Sequence, residues 1–214
     1  MSLSEGKSLL IDLHYLPGIE YFTCLDSYDR VVLEIHEHFV KQTYRNRCYI
    51  RGANGVLKLS VPVLWGRKKI PMKDIRIDHD QKWRMNHWRA IQSAYGKSPF
   101  FEFYVDYFEN VFRQKEKFLI DLNHKLLTLC LDLLGLKKEI VFSETYENHL
   151  KHSYIDLRSV IHPKEDFTNR TFYQAVRYEQ IFGKDFVPNM SIIDLLMCEG
   201  PNSVTIVRRS TSGS

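Results

Sequence analysis

The sequence predicts an α/β fold: a mixed sheet carrying an Asn-Gly β-hairpin insertion and a helical middle region, with α+β as the alternative. Three observations predict it. Residues 8–13 (SLLIDL) and 31–35 (VVLEI) are short apolar runs separated by a turn and one short amphipathic stretch, the opening of a strand–helix–strand unit. Asn54-Gly55 stands between two runs of strand formers, and both central positions of the tightest hairpin turn need φ > 0. Residues 83–134 then repeat apolar side chains at helical spacing, with Gly96 and Gly135 as stops.

Taken in order, the first run is a buried strand, after which His14-Tyr15-Leu16-Pro17-Gly18 turns the chain. Residues 19–28 form a short helix through Ile19, Phe22, Cys24 and Leu25, and 31–35 form a second strand rich in β-branched residues. Residues 38–63 (HFVKQTYRNRCYIRGANGVLKLSVPV) join a basic, amide-rich and aromatic run to the hairpin, whose alternation from 57 buries one face. A loop at 65–69 follows, then an alternating strand at 73–78, then a helix that Asp78 or Asp80 can cap. On that helix Trp83, His87, Ala90, Ile91 and Ala94 share a face. Pro99 opens a long amphipathic stretch to residue 134, two helices broken near 114–117. Residues 139–143 read as a strand, 144–158 as polar and irregular, 159–167 as a loop and 171–178 as a strand with a helix as the alternative. Ser191 as N-cap with Asp194 three residues on resembles a capping box that opens a helix ended by Gly200-Pro201. The domain is read as a single unit over 1–205, with a flexible tail from 206 to 214.

Composition narrows the function classes. The 214 residues are 44% hydrophobic, enough for a sizeable core. A formal charge of +4 is too small to imply nucleic acid, and blocks such as 66–69 suit a solvated face. No run of 18 apolar residues predicts a membrane span. The N-terminus lacks the apolar core and small-residue site of a signal peptide, and the four cysteines are scattered, which fits reduced thiols in the cytoplasm. No P-loop, GxGxxG, HExxH or GxSxG is present, and no cofactor is identified by motif.

Five constellations carry chemistry. Lys41, Gln42, Arg45, Asn46 and Arg47, with Tyr44 among them, suit an anionic, polyhydroxylated ligand, because guanidiniums fork onto phosphate and amides read hydroxyls; the bland alternative is a polar strand edge. His14, with Tyr15 beside it at the end of a first strand, suits a general base; the alternative is a histidine packed under Pro17. Trp83 and His87 share one helix face that can floor a pocket, His87 then being the catalytic imidazole; the alternative is a satisfied core histidine. Gln180 and Asn189 lie near the start of the last helix as ligand contacts. His36 and His38 with Glu34 and Glu37 offer donors, but no third ligand is legible, so no metal is expected.

The segments LHYLPGIEYF (13–22), VVLEIHEHFVKQTYRNRCYI (31–50), NGVLKLSVPV (54–63), WRMNHWRAIQSAYGKSPFFEFY (83–104) and QIFGKDFVPNMSIIDLLMCEGP (180–201) resemble the WbqC-like protein family, in the family's order over residues 8–201. The resemblance implies a bacterial protein of O-antigen or other surface-polysaccharide (lipopolysaccharide) biosynthesis, a transferase adding an acyl or aminoacyl group to an activated amino sugar, with a sugar nucleotide as small-molecule partner. Three departures stand out. Leu13-His14 replaces the family's Gln-Pro, Gly18-Ile19-Glu20-Tyr21-Phe22 replaces its Trp-x-Gly-Tyr-Phe, and SETYENHLKHSYIDL (143–157) lacks its Gly-rich segment, which predicts a lost or altered donor site. The competing expectation is a non-catalytic binding module for an anionic ligand, a nucleic acid or a partner protein.

Overall fold

A computed structural model describes residues 8–64, 69–146 and 154–211. Four strands pair in one parallel sheet: β1 (Ser8–Asp12), β2 (Arg30–Glu34), β7 (Glu139–Phe142) and β8 (Tyr154–Asp156), in the order β7-β2-β1-β8. Among the described strands two antiparallel ribbons form, β3 (Arg47–Gly52) with β4 (Gly55–Ser60), and β5 (Val63–Leu64) with β6 (Arg76–Ile77). The helices are α1 (Ile19–Asp26), α2 (Trp83–Tyr95), α3 (Phe101–Arg113), α4 (Leu119–Leu134), α5 (Ile192–Glu199) and α6 (Ser203–Arg209). The class is therefore α/β, as the first strand–helix–strand unit required.

One face of the sheet forms the core. Leu9, Ile11, Val31 and Leu33 are fully buried there, and Phe142, in register with Leu33, meets His124 of α4. Helix α4 buries Leu122, Leu126, Leu127 and Leu131 at helical spacing and stops at Gly135, whose φ of 68° is the left-handed C-cap. Leu10, Val32 and Val141 line the other face, where a hollow of about 280 Å³ opens.

The sheet order determines where a ligand site belongs. The chain steps from β1 to β2 to β7 in one direction, and β8 then returns to the far side of β1. That reversal is a topological switch point, and ligands of open parallel sheets sit at the carboxyl ends of the strands flanking it. Here those ends are Asp12 of β1 and Asp156 of β8.

Several local expectations are corrected. The hairpin turn is Ala53-Asn54, because Gly52 pairs with Gly55, and the positive φ of 121° falls on Gly55, just after the turn. This register puts Cys48, Ile50 and Leu59 on the buried face, and core burial outweighs the Asn-Gly turn preference. Residues 73–78 hold a 3-10 turn (Met72–Asp74) and only the two-residue β6. Helix α2 begins after Lys82 with no side-chain cap; Asp78 instead accepts from the Asp80 amide and from Gln81 in the preceding turn. Residues 171–178 are irregular, with Tyr173 and Tyr178 buried as single plugs. Helix α6 carries the chain on to Arg209, burying Ile206 and Val207, where sequence alone suggested a tail. Residues 65–68 of the expected loop, residues 147–153 of the 143–157 segment that lacks glycine, and residues 1–7 and 212–214 lie outside the described residues.

Candidate active site at the carboxyl edge of the parallel sheet

Where β1 leaves the sheet, its last residue is buried and charged. Asp12 Oδ2 accepts the Ser159 amide at 2.8 Å, and Oδ1 lies 3.0 Å from Arg45 Nη2. Arg45 is itself enclosed: Nε donates to Glu37 Oε1 at 2.8 Å, Nη2 reaches the same oxygen, and Nη2 also donates to Ser159 Oγ at 3.3 Å. Its carbonyl accepts from Asn123 of α4 at 2.7 Å. Asp12, Arg45 and Glu37 thus come from three separate segments and meet on one guanidinium nitrogen. Ser159 holds its place with φ of 57°, a conformation costly for a non-glycine residue and found most often where the surroundings impose it.

His14 stands against this cluster. Its ring packs on Tyr21 at 4.8 Å and on Tyr44 at 5.5 Å between centroids. Nε2 is 3.8 Å from Asp12 Oδ2, longer than a hydrogen bond, and neither ring nitrogen has a hydrogen-bond partner among the described residues. Buried polar atoms are nearly always paired, so two orphaned nitrogens on one imidazole stand out. Burial lowers the His14 pKa, and the nearby Asp12 carboxylate only partly offsets this. For Asp12, burial alone would raise the pKa. His14, Arg45 and the Ser159 amide outweigh it and hold the carboxyl below its ordinary range. Glu37 goes the other way, raised by burial and by the Asp12 charge against the pull of Arg45. Two carboxyls on one cation in a shielded place do not both ionise readily.

The neighbouring strand ends extend the polar edge. Glu34, in register with Asp12, accepts from Ser143 Oγ at 2.9 Å and from Arg158 Nη1 at 3.1 Å. Arg158 also grips Asp156 at 2.8 Å. His162, on the loop after β8, is lowered by burial and by the positive charges of Lys164, Arg45 and Arg47. Arg47, opposite Ser60 in the hairpin, keeps a buried Nε without a partner among the described residues.

The residues singled out from sequence fall into separate groups. His14 and Arg45 are in the cluster, with Arg47 on its flank. Tyr15 and His87 form their own pair, hydroxyl and Nδ1 lying 2.8 Å apart, with Trp83 edge-on to the imidazole at 5.1 Å. Burial pushes His87 down to about 4 despite a backbone hydrogen bond at Ser60. Asn46 donates to the Val61 carbonyl at 2.8 Å. Lys41 and Gln42 are exposed, Gln42 with φ of 63°. Gln180 donates to Asp194 and to the Val187 carbonyl. Asn189 accepts the Glu20 amide at 3.0 Å, tying the start of α1.

Asp194 does not form a capping box. Ser191 turns its hydroxyl back to the Leu16 carbonyl, while Asp194 accepts from Tyr95, Tyr178 and Gln180. Sequence reasoning passed over Asp12, Glu37, Ser159 and His162 as members of one site. A carboxylate ending an apolar strand, one residue removed from His14, was a usable signal for Asp12. Glu37 was visible only as a possible metal donor, and nothing in the loop sequence marks Ser159. Among the described residues no group of three His, Cys, Asp or Glu side chains is placed to hold a metal ion.

Comparison with known proteins gives two results. The model of the WbqC-like protein family matches residues 13–171 and 164–206. The chain is also similar to the uncharacterized protein Rv1507c of Mycobacterium tuberculosis, 24% identical over 231 aligned residues that cover 94% of this chain and 97% of the relative. No solved structure matches.

Proposed function

Since this chain belongs to the WbqC-like protein family, we propose that it is a transferase of bacterial surface-polysaccharide assembly, adding an acyl or aminoacyl group to the amine of a nucleotide-activated amino sugar. One observation carries the reading. At the switch point of a parallel sheet, where ligands of such folds bind, a buried imidazole whose two nitrogens have no hydrogen-bond partner among the described residues stands beside Asp12, which shares Arg45 with Glu37. A site of that composition can hold and move a proton between neutral partners. Arg47, with Lys41 on the exposed approach, grips the phosphates of the sugar nucleotide, because a guanidinium matches two phosphate oxygens at once.

Of the two histidines singled out, His14 is the one in this cluster, standing against Asp12 as a positioning group. His87 is held by Tyr15 and kept neutral among Trp83 and the hairpin, which suits a core role. No described helix is long and apolar enough to cross a membrane, and we place the reaction in the cytoplasm, where sugar nucleotides are made.

The test is calorimetric titration of nucleotide-activated amino sugars into the unaltered protein and into the Arg47→Ala and His14→Gln variants. Arg47→Ala should weaken binding about tenfold or more, the value of one charge-assisted phosphate contact. His14→Gln should bind with little change but lose turnover. Unchanged affinity and unchanged turnover in both variants would overturn the assignment.

A further inference from the structure

We infer that Glu37 is the proton-exchanging group of this site, the one carboxyl of the cluster that meets the substrate. The inference rests on the transferase reading for its chemistry, but on geometry for its choice of residue. Asp12, His14 and Arg45 each leave only 2% of their side-chain surface open, whereas Glu37 leaves 12%. Glu37 is therefore more open to a ligand entering from solvent than Asp12, His14 or Arg45. Glu37 Oε1 is fixed by Nε and Nη2 of Arg45. Its backbone is held as well, with the carbonyl accepting the Met72 amide at 2.8 Å. The carboxyl is thus anchored through one oxygen while the side chain stays partly open to solvent, the geometry of a positioned acid–base group.

The groups acting on Glu37 come from two directions. Asp12, from the end of β1, shares Arg45 Nη2 with it and opposes its ionisation. Arg45, from the segment before β3, favours ionisation. His14 and His162 act one step back, through Asp12 and Arg45. The balance raises Glu37 to about 8, so near neutrality the carboxyl is mostly protonated and a small pool of carboxylate is a strong base for its class. With an acyl thioester as donor, the sugar amine attacks the thioester carbon. The C–N bond forms, the C–S bond breaks with its electron pair on sulfur, and the proton leaving nitrogen passes to Glu37, which returns it to the departing thiolate.

Two measurements test this. Carbon-13 NMR of protein labelled at the glutamate carboxyl carbons needs no substrate. It should show one glutamate titrating with a midpoint near 8, absent from Glu37→Gln, a variant that keeps an oxygen for Arg45. Glutamates that all titrate in the ordinary carboxyl range would overturn the inference. In turnover with an acyl thioester and a nucleotide-activated amino sugar, Glu37→Gln should lose kcat about hundredfold or more while KM stays within about threefold. The unaltered protein's kcat/KM should rise with pH through the same midpoint. Full activity in Glu37→Gln also overturns it. A high NMR midpoint with no turnover in the unaltered protein would count against the transferase reading while supporting the proton-holding role of Glu37, so the two failures are distinguishable.

Discussion

Asp194 concentrates three hydrogen bonds on one buried carboxylate. Tyr95 donates to Oδ1 at 2.7 Å, and Tyr178 and Gln180 donate to Oδ2 at 2.6 and 3.0 Å. Removing the acceptor strands the two buried tyrosine hydroxyls and takes one bond from Gln180, which keeps the Val187 carbonyl, and each stranded group costs roughly 1–3 kcal/mol. Asp194→Ala should therefore lose about 3–5 kcal/mol in urea unfolding, whereas Tyr178→Phe, which strands less, should lose about 1–2 kcal/mol. Equal losses would show that the network does not act through the carboxylate. His87 supplies a pH signature. Its pKa falls from 6.5 to about 4 on folding, chiefly because burial disfavours the imidazolium. The folded form then binds fewer protons than the unfolded chain, so the stabilisation is present above pH 6.5 and is lost as pH falls toward 4. About 3 kcal/mol should be lost across that window, and His87→Leu should flatten this part of the stability profile. A slope unchanged by the substitution would mean that another group titrates there. At this scale His14 was legible, because its position just after an apolar run placed it at a strand end. Asp194 was misread, because spacing from Ser191 shows nothing of the tyrosines that arrive from residues 95 and 178.

Elements were legible where periodicity is local. The five-residue strands β1 and β2, the helix α1 between them, and the long helices α2, α3 and α4 lie close to the predicted spans. The misses share a cause: the deciding contact is not in the segment. The hairpin turn slid by one residue because burial of Cys48 and Ile50 set its register. Residues 171–178 alternate like a strand but have no neighbouring strand, and the Gln174 amide donates instead to the carbonyl of Ser210, after α6. The junction of α5 and α6 shows how tightly these pieces interlock. Gly200 has φ of 53°, and a Cβ there would sit 2.3 Å from a ring carbon of Phe100. Gly200→Ala should cost about 2–3 kcal/mol, from backbone strain and overpacking together. A thermal midpoint close to that of the unaltered protein would mean that the Phe100 side yields easily.

For the whole molecule, the sheet order was not legible, because it depends on pairings across the chain. β2 and β7 are neighbours although two ribbons and three helices separate them in sequence. The cluster of Asp12, Glu37, Arg45 and Ser159 inherits that remoteness, so no short motif announces it. Arg45 is its keystone. Arg45→Met leaves two buried carboxyls facing each other, and should cost about 3–5 kcal/mol near neutral pH. Without the cation both carboxyls hold protons more tightly in the folded state, so the variant should regain stability as the pH falls from 7 toward 5. A variant that only weakens further on acidification would show that Arg45 acts through packing alone.

The amide of Ser159 reaches Asp12 across 147 positions of chain. On a ribosome adding about 5–20 residues each second, roughly 7–30 seconds pass between the emergence of one and the other. Through that interval β1 has β2 on one side and nothing on the side that β8 will fill, so its free edge is a template for wrong pairing. Nascent chains stalled before residue 159 should therefore cling to chaperones, and those released past it should let go.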